Sequence, residues 1–363
     1  MKGLSLGITF RVDVDLKQAL FSNGISQNIK FYYDLLTLMG HKPFFLTDMP
    51  VPGKSLSVKN RKYRALSYKE VLDEKKKLDI AFEAGVSINQ AERNVLREQF
   101  GTRIVSLRYG HAMVMDMEQV FLHETMSPGL HVSKPDYLWT TPHLKNGAQY
   151  LSTIYDCPVR ICPYIWEPDF VGSPFASGDY AHTPDIYVME PNVNILKNAL
   201  IPMAIIEQVY RAEPHAFGKA TILNGKHFQN QKYFLENIVR NMSSLVSSAD
   251  KVYFTGRYNF DDVFTRPNIL LGHQWDCELN YLYFEALYKG VPCVHNSSVM
   301  REVGFYYPGF EVLEGKEQCL KAIRSFQKTP AEGKKNNEFI SRYSINNRDV
   351  KNEFGRLIDE ALS

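Results

Sequence analysis

The chain has 363 residues, enough for two ordinary domains with substantial cores. With 44% hydrophobic and 23% charged residues it reads as a soluble globular protein, and a net charge of only +2 announces no global field for nucleic acid. Five cysteines without a CxxC pair speak against a disulfide framework and a structural zinc site, and no apolar run approaches the ~20 residues of a membrane span.

Residues 4–10 read as a buried strand that runs into Arg11, Asp13 and Asp15. This first apolar run is too short for a signal peptide, so a cytoplasmic protein is expected. A polar loop over 22–28 carries Asn23 and Gly24. Helical periodicity follows at Ile29, Tyr32, Tyr33 and Leu36 and stops at Gly40. Residues 43–47 read as a second strand. Lys54, Lys59, Arg61, Lys62 and Arg64 then crowd together around a tyrosine, with no acid among them. They form either a solvated surface loop or a grip on a phosphate backbone.

A helix over 68–77, a strand over 78–83, a helix over 89–100 and a strand over 103–107 follow. The last of these delivers His111, with Asp116 and Glu118 just beyond. An imidazole or carboxylate here could take the proton of an attacking hydroxyl. His111 reads equally as a hydrogen-bonded structural histidine. A strand over 136–140, a helix over 144–155 and a strand over 159–165 complete the first half. The stretch 172–184 is rich in Gly, Ser and Pro, as linkers are. The expected domains are therefore 1–168 and 185–335, with a linker over 169–184 and a terminal helical segment over 336–363.

The second half opens with a strand over 185–189, then Asn192, then a helix over 195–211 carrying Lys197 near its first turn. A strand over 220–224 precedes a long helix over 228–246. A strand over 252–255 ends at Gly256-Arg257, and one over 268–271 ends at Gly272-His273-Gln274. A helix over 279–288 has Asn280 and Tyr281 at its start and closes on Gly290, a C-cap glycine. A strand over 291–294 and helices over 314–327 and 338–362 finish the chain. This alternation is that of an α/β protein with parallel sheets, which bind ligands at the carboxyl ends of their strands.

Glu285-Ala286-Leu287 with Gly290-Val291-Pro292 and Val294 resembles the E-A-x-x-x-G-x-P-x-V signature of GT-B glycosyltransferases that use nucleotide sugars. The resemblance extends over NGISQN, CPYIWEPDF, MEPNVNILKNALIPM, GHQWDCELNYLYFEALYKGVPCVHNS and GFYYPGFE, and so over nearly the whole chain. It implies two Rossmann-like domains facing each other across a cleft. It also implies that Glu285 accepts hydrogen bonds from ribose hydroxyls, and that the helix start at Asn280 and Tyr281 faces the diphosphate. Lys197 matches the family's diphosphate lysine. Asn192 stands where its arginine partner is usual, and Arg257 could supply the second cation, so that no metal is required. Asn23 and Gly24 match the loop near the donor sugar.

An inverting reaction would draw its base from His111, Asp116, Glu118 or Asp13, whereas a retaining one needs no dedicated base. Two departures stand out: Cys277 occupies the place of a second glutamate, and His273-Gln274 replaces small residues, implying a contact to base or phosphate. NGISQN in particular is similar to a GT-B-like family of bacteria and T-even-type phages. That likeness implies a UDP-sugar, with arabinose as the sugar. It further implies double-stranded DNA carrying 5-hydroxymethylcytosine as acceptor, in the host cytoplasm. A cell-surface saccharide acceptor and a non-catalytic nucleotide-sugar-binding protein are the alternatives.

Overall fold

Short apolar runs form strands buried on both faces, which is what a parallel sheet covered by helices demands. The protein is seen in a computed structural model that describes residues 3–12, 24–58, 61–84, 86–122, 134–246 and 251–363. The chain divides into two units, residues 1–170 with 342–363, and residues 171–341.

In the first unit the strands are β1 (Ser5–Phe10), β2 (Lys42–Thr47), β3 (Ser55–Val58), β4 (Arg61–Ser67), β5 (Ile80–Glu83), β6 (Arg103–Arg108), β7 (Tyr137–Thr140) and β8 (Val159–Ile161). They lie in the order β3-β4-β2-β1-β5-β6-β7-β8. Neighbours are parallel except β3 and β4. Helices α1 (Gly24–Leu38), α2 (Tyr68–Asp73), α3 (Gln90–Phe100), α4 (Ala112–Leu122) and α5 (Ala148–Tyr155) connect them. Caps fix several helix ends: Ser67 and Glu70 make a reciprocal capping box on α2, and Asn89 caps α3, which Gly101 closes in the left-handed region.

The second unit has β9 (Ile186–Val188), β10 (Ala220–Ile222), β11 (Val252–Phe254), β12 (Ile269–Leu271), β13 (Cys293–His295) and β14 (Phe305–Tyr306), all parallel, in the order β11-β10-β9-β12-β13-β14. Its longer helices are α6 (Leu200–Ala212), α7 (Tyr281–Lys289), α8 (Val312–Arg324) and α9 (Gly333–Ser341). Ile186, Val188, Ile205, Ile206, Ile222, Leu271 and Val294 are among its core residues. The last helix, α10 (Arg348–Leu362), belongs to the first unit, where its Phe354 packs edge-on against Tyr32 and Trp139. Among the described residues, no helix is long and apolar enough to cross a membrane.

Three local expectations are corrected. The basic stretch around Lys54–Arg64 is not simply a loop: β3 and β4 pair there as antiparallel strands, Ser55 with Arg64 and Val58 with Arg61. Their buried Leu56, Val58 and Tyr63 supply the apolar face. The helix expected from 195 starts at Leu200, because Asn192 and Asn194 divert the chain into local turns. Their side chains accept the N–H groups of Ala199 (2.7 Å) and Lys197 (3.1 Å). The long helix expected over 228–246 is broken into short turns. Asn237 and Asn241 donate there to carbonyls four residues back, and Glu207 captures the N–H groups of Ser243 and Ser244. The stretch 172–184 packs on the second unit. Phe175 N–H reaches the Lys289 carbonyl at 3.0 Å, and buried Tyr180 donates its hydroxyl to the Gly290 carbonyl at 2.6 Å.

Candidate functional site

The strand order of the second unit reverses at β9, which has β10 on one side and β12 on the other. Loops leaving the carboxyl ends of strands at such a point diverge and open a crevice for ligand. Two residues past β9 stands Glu190, fully buried. One carboxylate oxygen accepts the N–H of His273 at 3.0 Å, and the other accepts the side-chain amide of Gln274 at 2.5 Å. Burial pushes its carboxyl up to about 8, against those hydrogen bonds and the nearby charge of Lys197, which favour ionisation. Trp275 N–H meets the Leu196 carbonyl at 2.8 Å, fastening the loop after β12 to the turn that carries Lys197.

Asn296, past β13, clamps the same loop from the other side. Its side chain accepts from Gln274 N–H at 2.9 Å and donates to the Gln274 carbonyl at 2.8 Å. The structure thus brings Lys197, His273 and Gln274 together around Glu190. Four buried polar atoms here have no hydrogen-bond partner: Nε2 of His273, Oε1 of Gln274, the Tyr283 hydroxyl beside Gly272, and Oγ of Ser297. Buried polar atoms are nearly always satisfied, and among the described residues of the second unit the unpartnered ones all fall between residues 273 and 297.

Glu285 is buried in the middle of α7. Asn280 is the N-cap of that helix, its side chain accepting from Leu282 N–H at 3.2 Å, and Tyr281 is buried in the first turn. Asn192 spends its amide on the carbonyls of Glu190 (3.1 Å) and Leu223 (3.0 Å), besides holding Ala199 N–H. It therefore shapes the loop with every polar atom of its side chain. Arg257 is exposed beyond the edge strand β11. Asn224 links that edge back to the centre, donating from its side chain to the Glu190 carbonyl (3.0 Å) and from its backbone to the Gly256 carbonyl (3.1 Å).

In the first unit, buried His111 stands just before α4, which carries Asp116 and buried Glu118. Asp116 accepts the Tyr150 hydroxyl at 2.7 Å, a bond that with burial pushes the phenol up to about 12 and ties α4 to α5. Gly24 begins α1. Asp13, Asp15, Asn23 and Lys59 lie outside the described residues. The basic cluster meets acids from elsewhere in the chain: Lys54 pairs with Glu74 and Glu70 around α2, and Arg61 pairs with Asp34 of α1 at 3.0 Å. Lys62 and Arg64 remain exposed on β4. Among the described residues, no group of three or more His, Cys, Asp or Glu could hold a metal ion.

Sequence reasoning passed over Glu190, the residue on which the assembly turns. The available signal was an acid directly after the first strand of the second half. It also passed over Trp275 and Phe310, exposed rings in contact at 5.8 Å between centroids.

A family described as protein of unknown function (DUF2827) has a model that matches residues 6–358. No curated protein matches the chain in sequence. Among solved structures, sucrose-phosphate synthase from Thermosynechococcus elongatus is similar with a TM-score of 0.62 and 12% identity over 98% of each chain. The trehalose-6-phosphate synthase OtsA is similar with a TM-score of 0.60 and 12% identity over 99% of each chain. A DNA-modifying β-glucosyltransferase, studied with and without its substrate uridine diphosphoglucose, is similar with a TM-score of 0.53 and 11% identity, covering 98% of this chain and 100% of that one. Likeness at these identities is likeness of fold, and the fold is GT-B.

Proposed function

The chain belongs to the DUF2827 family, and we propose that it is a glycosyltransferase that moves a sugar from a nucleotide sugar, UDP-linked, to a hydroxyl acceptor. The observation that carries this reading is the strand-order reversal of the second unit, where buried Glu190 and Lys197 after β9 meet His273 and Gln274 after β12. The GT-B fold supports it, as does the substrate named for the similar β-glucosyltransferase.

In this reading the nucleotide occupies the second unit. Glu285 serves the ribose diol, while Lys197 and Arg257 offset the charge that builds on the departing diphosphate, doing without a metal. The test is binding of UDP and a panel of UDP-sugars by calorimetry, together with turnover. Lys197→Ala should lower donor-dependent turnover by about a hundredfold or more while the fold persists. Normal turnover in that variant would remove Lys197 from the site, and a chain that binds no nucleotide sugar would overturn the reading.

One observation favours a DNA acceptor bearing 5-hydroxymethylcytosine over a saccharide. Lys62 and Arg64 are exposed on β4, next to the edge strand β3 of the first unit's sheet, where they could meet phosphates. Duplex binding should then weaken with salt, and removing either cation should lower the slope of log affinity against log salt by roughly one. Binding that ignores salt, or no binding, would leave the saccharide as acceptor.

A further inference from the structure

Glu190 is fully buried and forms no ion pair among the described residues. The elements packed against it turn neutral groups toward it. The loop after β12 brings His273, whose imidazole burial holds at about 4, so that the ring is uncharged at physiological pH. Tyr283 comes from α7, Cys293 from β13 and Tyr307 from just past β14, and burial pushes all three up, so that each keeps its proton. Only Lys197, in the turn after β9, brings a charge to bear on the acid, and burial outweighs it. A carboxyl taken out of water without a paired cation stays neutral rather than carry its charge into the interior.

A neutral carboxyl must place its proton. Oε1 of Glu190 faces the N–H of His273 at 3.0 Å, and a backbone N–H can only donate. The proton therefore sits on Oε2, whose neighbour is the Gln274 side-chain amide at 2.5 Å. That separation is below the range of N–H···O bonds, about 2.7–3.2 Å, and within that of O–H···O bonds, about 2.5–3.0 Å. The two ends of a side-chain amide are alike in outline, so hydrogen bonding decides which one faces the acid. With the acid protonated, the carbonyl oxygen of Gln274 turns to it and the amide nitrogen takes the unpartnered place. With the acid ionised, the nitrogen faces it and donates.

We propose that Glu190 is a positioning residue that works as a neutral acid: its proton, given to the Gln274 carbonyl oxygen, pins the loop after β12, and its lack of charge leaves the Lys197 ammonium uncancelled for an anionic ligand. Lys197 is half-buried, and its backbone is spent on the turn, donating to the Asn194 side chain and accepting from Asn192 N–H, both at 3.1 Å. Its ammonium forms no ion pair among the described residues. The inference rests on the nucleotide-sugar reading above and deepens it, the anion being the donor's diphosphate. An ionised Glu190 would set a negative charge within reach of Lys197 and oppose that diphosphate. By linkage, a bound diphosphate in turn tightens the hold of Glu190 on its proton.

The experiment titrates wild type and Glu190→Gln with UDP by calorimetry on either side of pH about 8, the value to which burial raises the acid. The glutamine copies the neutral acid, donating to Gln274 and accepting from His273. Wild-type affinity should fall by about tenfold as pH rises through that value, beyond any fall that the nucleotide's own titration brings to both proteins. Near that pH, wild-type titrations in buffers of different ionisation enthalpy should show proton uptake on binding, which the variant lacks. Infrared difference spectra of the two proteins without nucleotide should show the carbonyl band of a carboxylic acid at neutral pH. A carboxylate band there, or the same pH dependence in both proteins, would overturn the inference and leave the nucleotide-sugar reading standing. Where circular dichroism shows that Glu190→Gln does not fold, wild-type proton uptake decides, and its absence overturns the inference. A wild type that binds no UDP at any pH overturns both.

Discussion

Glu190 shows how one buried carboxyl can make stability depend on pH. Its carboxyl, ordinarily near 4.5, is pushed up to about 8 by burial. Between those values the folded chain keeps a proton that the unfolded chain has released. The stability this group contributes is complete below pH 4.5 and is lost as pH rises through about 8. Glu190→Gln keeps an acceptor and removes the titration, so the melting temperature of wild type should fall more steeply than that of the variant between those pH values. Equal slopes would show that Glu190 is ionised in the folded chain. His273 and His295, both held at about 4 by burial, are buried bases and act at the opposite end. Their shifts lie below the ordinary histidine value, so they contribute stability above it that is lost as pH falls toward about 4.

Helix α7 is defined by its two ends. Asn280 starts it, and Gly290 stops it at φ 83° with its N–H bonded to the carbonyls of the last turn. A Cβ on Gly290 would lie 2.6 Å from the Tyr180 hydroxyl, the group that donates to the Gly290 carbonyl. Gly290→Ala should therefore cost about 1–3 kcal/mol, from left-handed strain and the displaced tyrosine, read as a shift of the urea midpoint. An unchanged midpoint would show that Tyr180 is not anchored there. The G-V-P ending of this helix was legible because a C-cap glycine followed by proline is a local signal. The β3–β4 pairing was not, because Arg61, Lys62 and Arg64 mask the buried positions of β4 in between. Nor could the neutralisation of Lys54 and Arg61 be read, since their partners Glu74 and Asp34 lie 20 or more residues away and meet them only through the fold. The sheet alternation and the strand ends survive in sequence because each is a short-range pattern. Glu190 escapes because its meaning comes from β12, some eighty residues on.

Across the whole chain, the first unit is left after residue 170 and re-entered at 342. The two crossings are fastened to each other inside that unit. Trp166 N–H reaches the Tyr343 carbonyl at 3.0 Å, and one carboxylate oxygen of Glu167 takes both the Ser344 hydroxyl (2.7 Å) and the Ile345 N–H (2.8 Å). Glu167→Ala would leave those donors unsatisfied and should lower stability by about 1–3 kcal/mol in urea. Glu167→Gln, which keeps a carbonyl oxygen with two lone pairs, should restore most of it. If Ala and Gln behave alike, the fastening contributes nothing.

The return crossing leads into α10, which completes the first unit: Phe354 is fully buried there, Tyr137 donates to the Glu360 carbonyl, and Arg160 pairs with the Glu360 carboxylate. On the ribosome the order of synthesis is therefore not the order of completion. The second unit, unbroken in the chain, can close as it emerges, while the first waits with a gap in its core until the final helix leaves the exit tunnel.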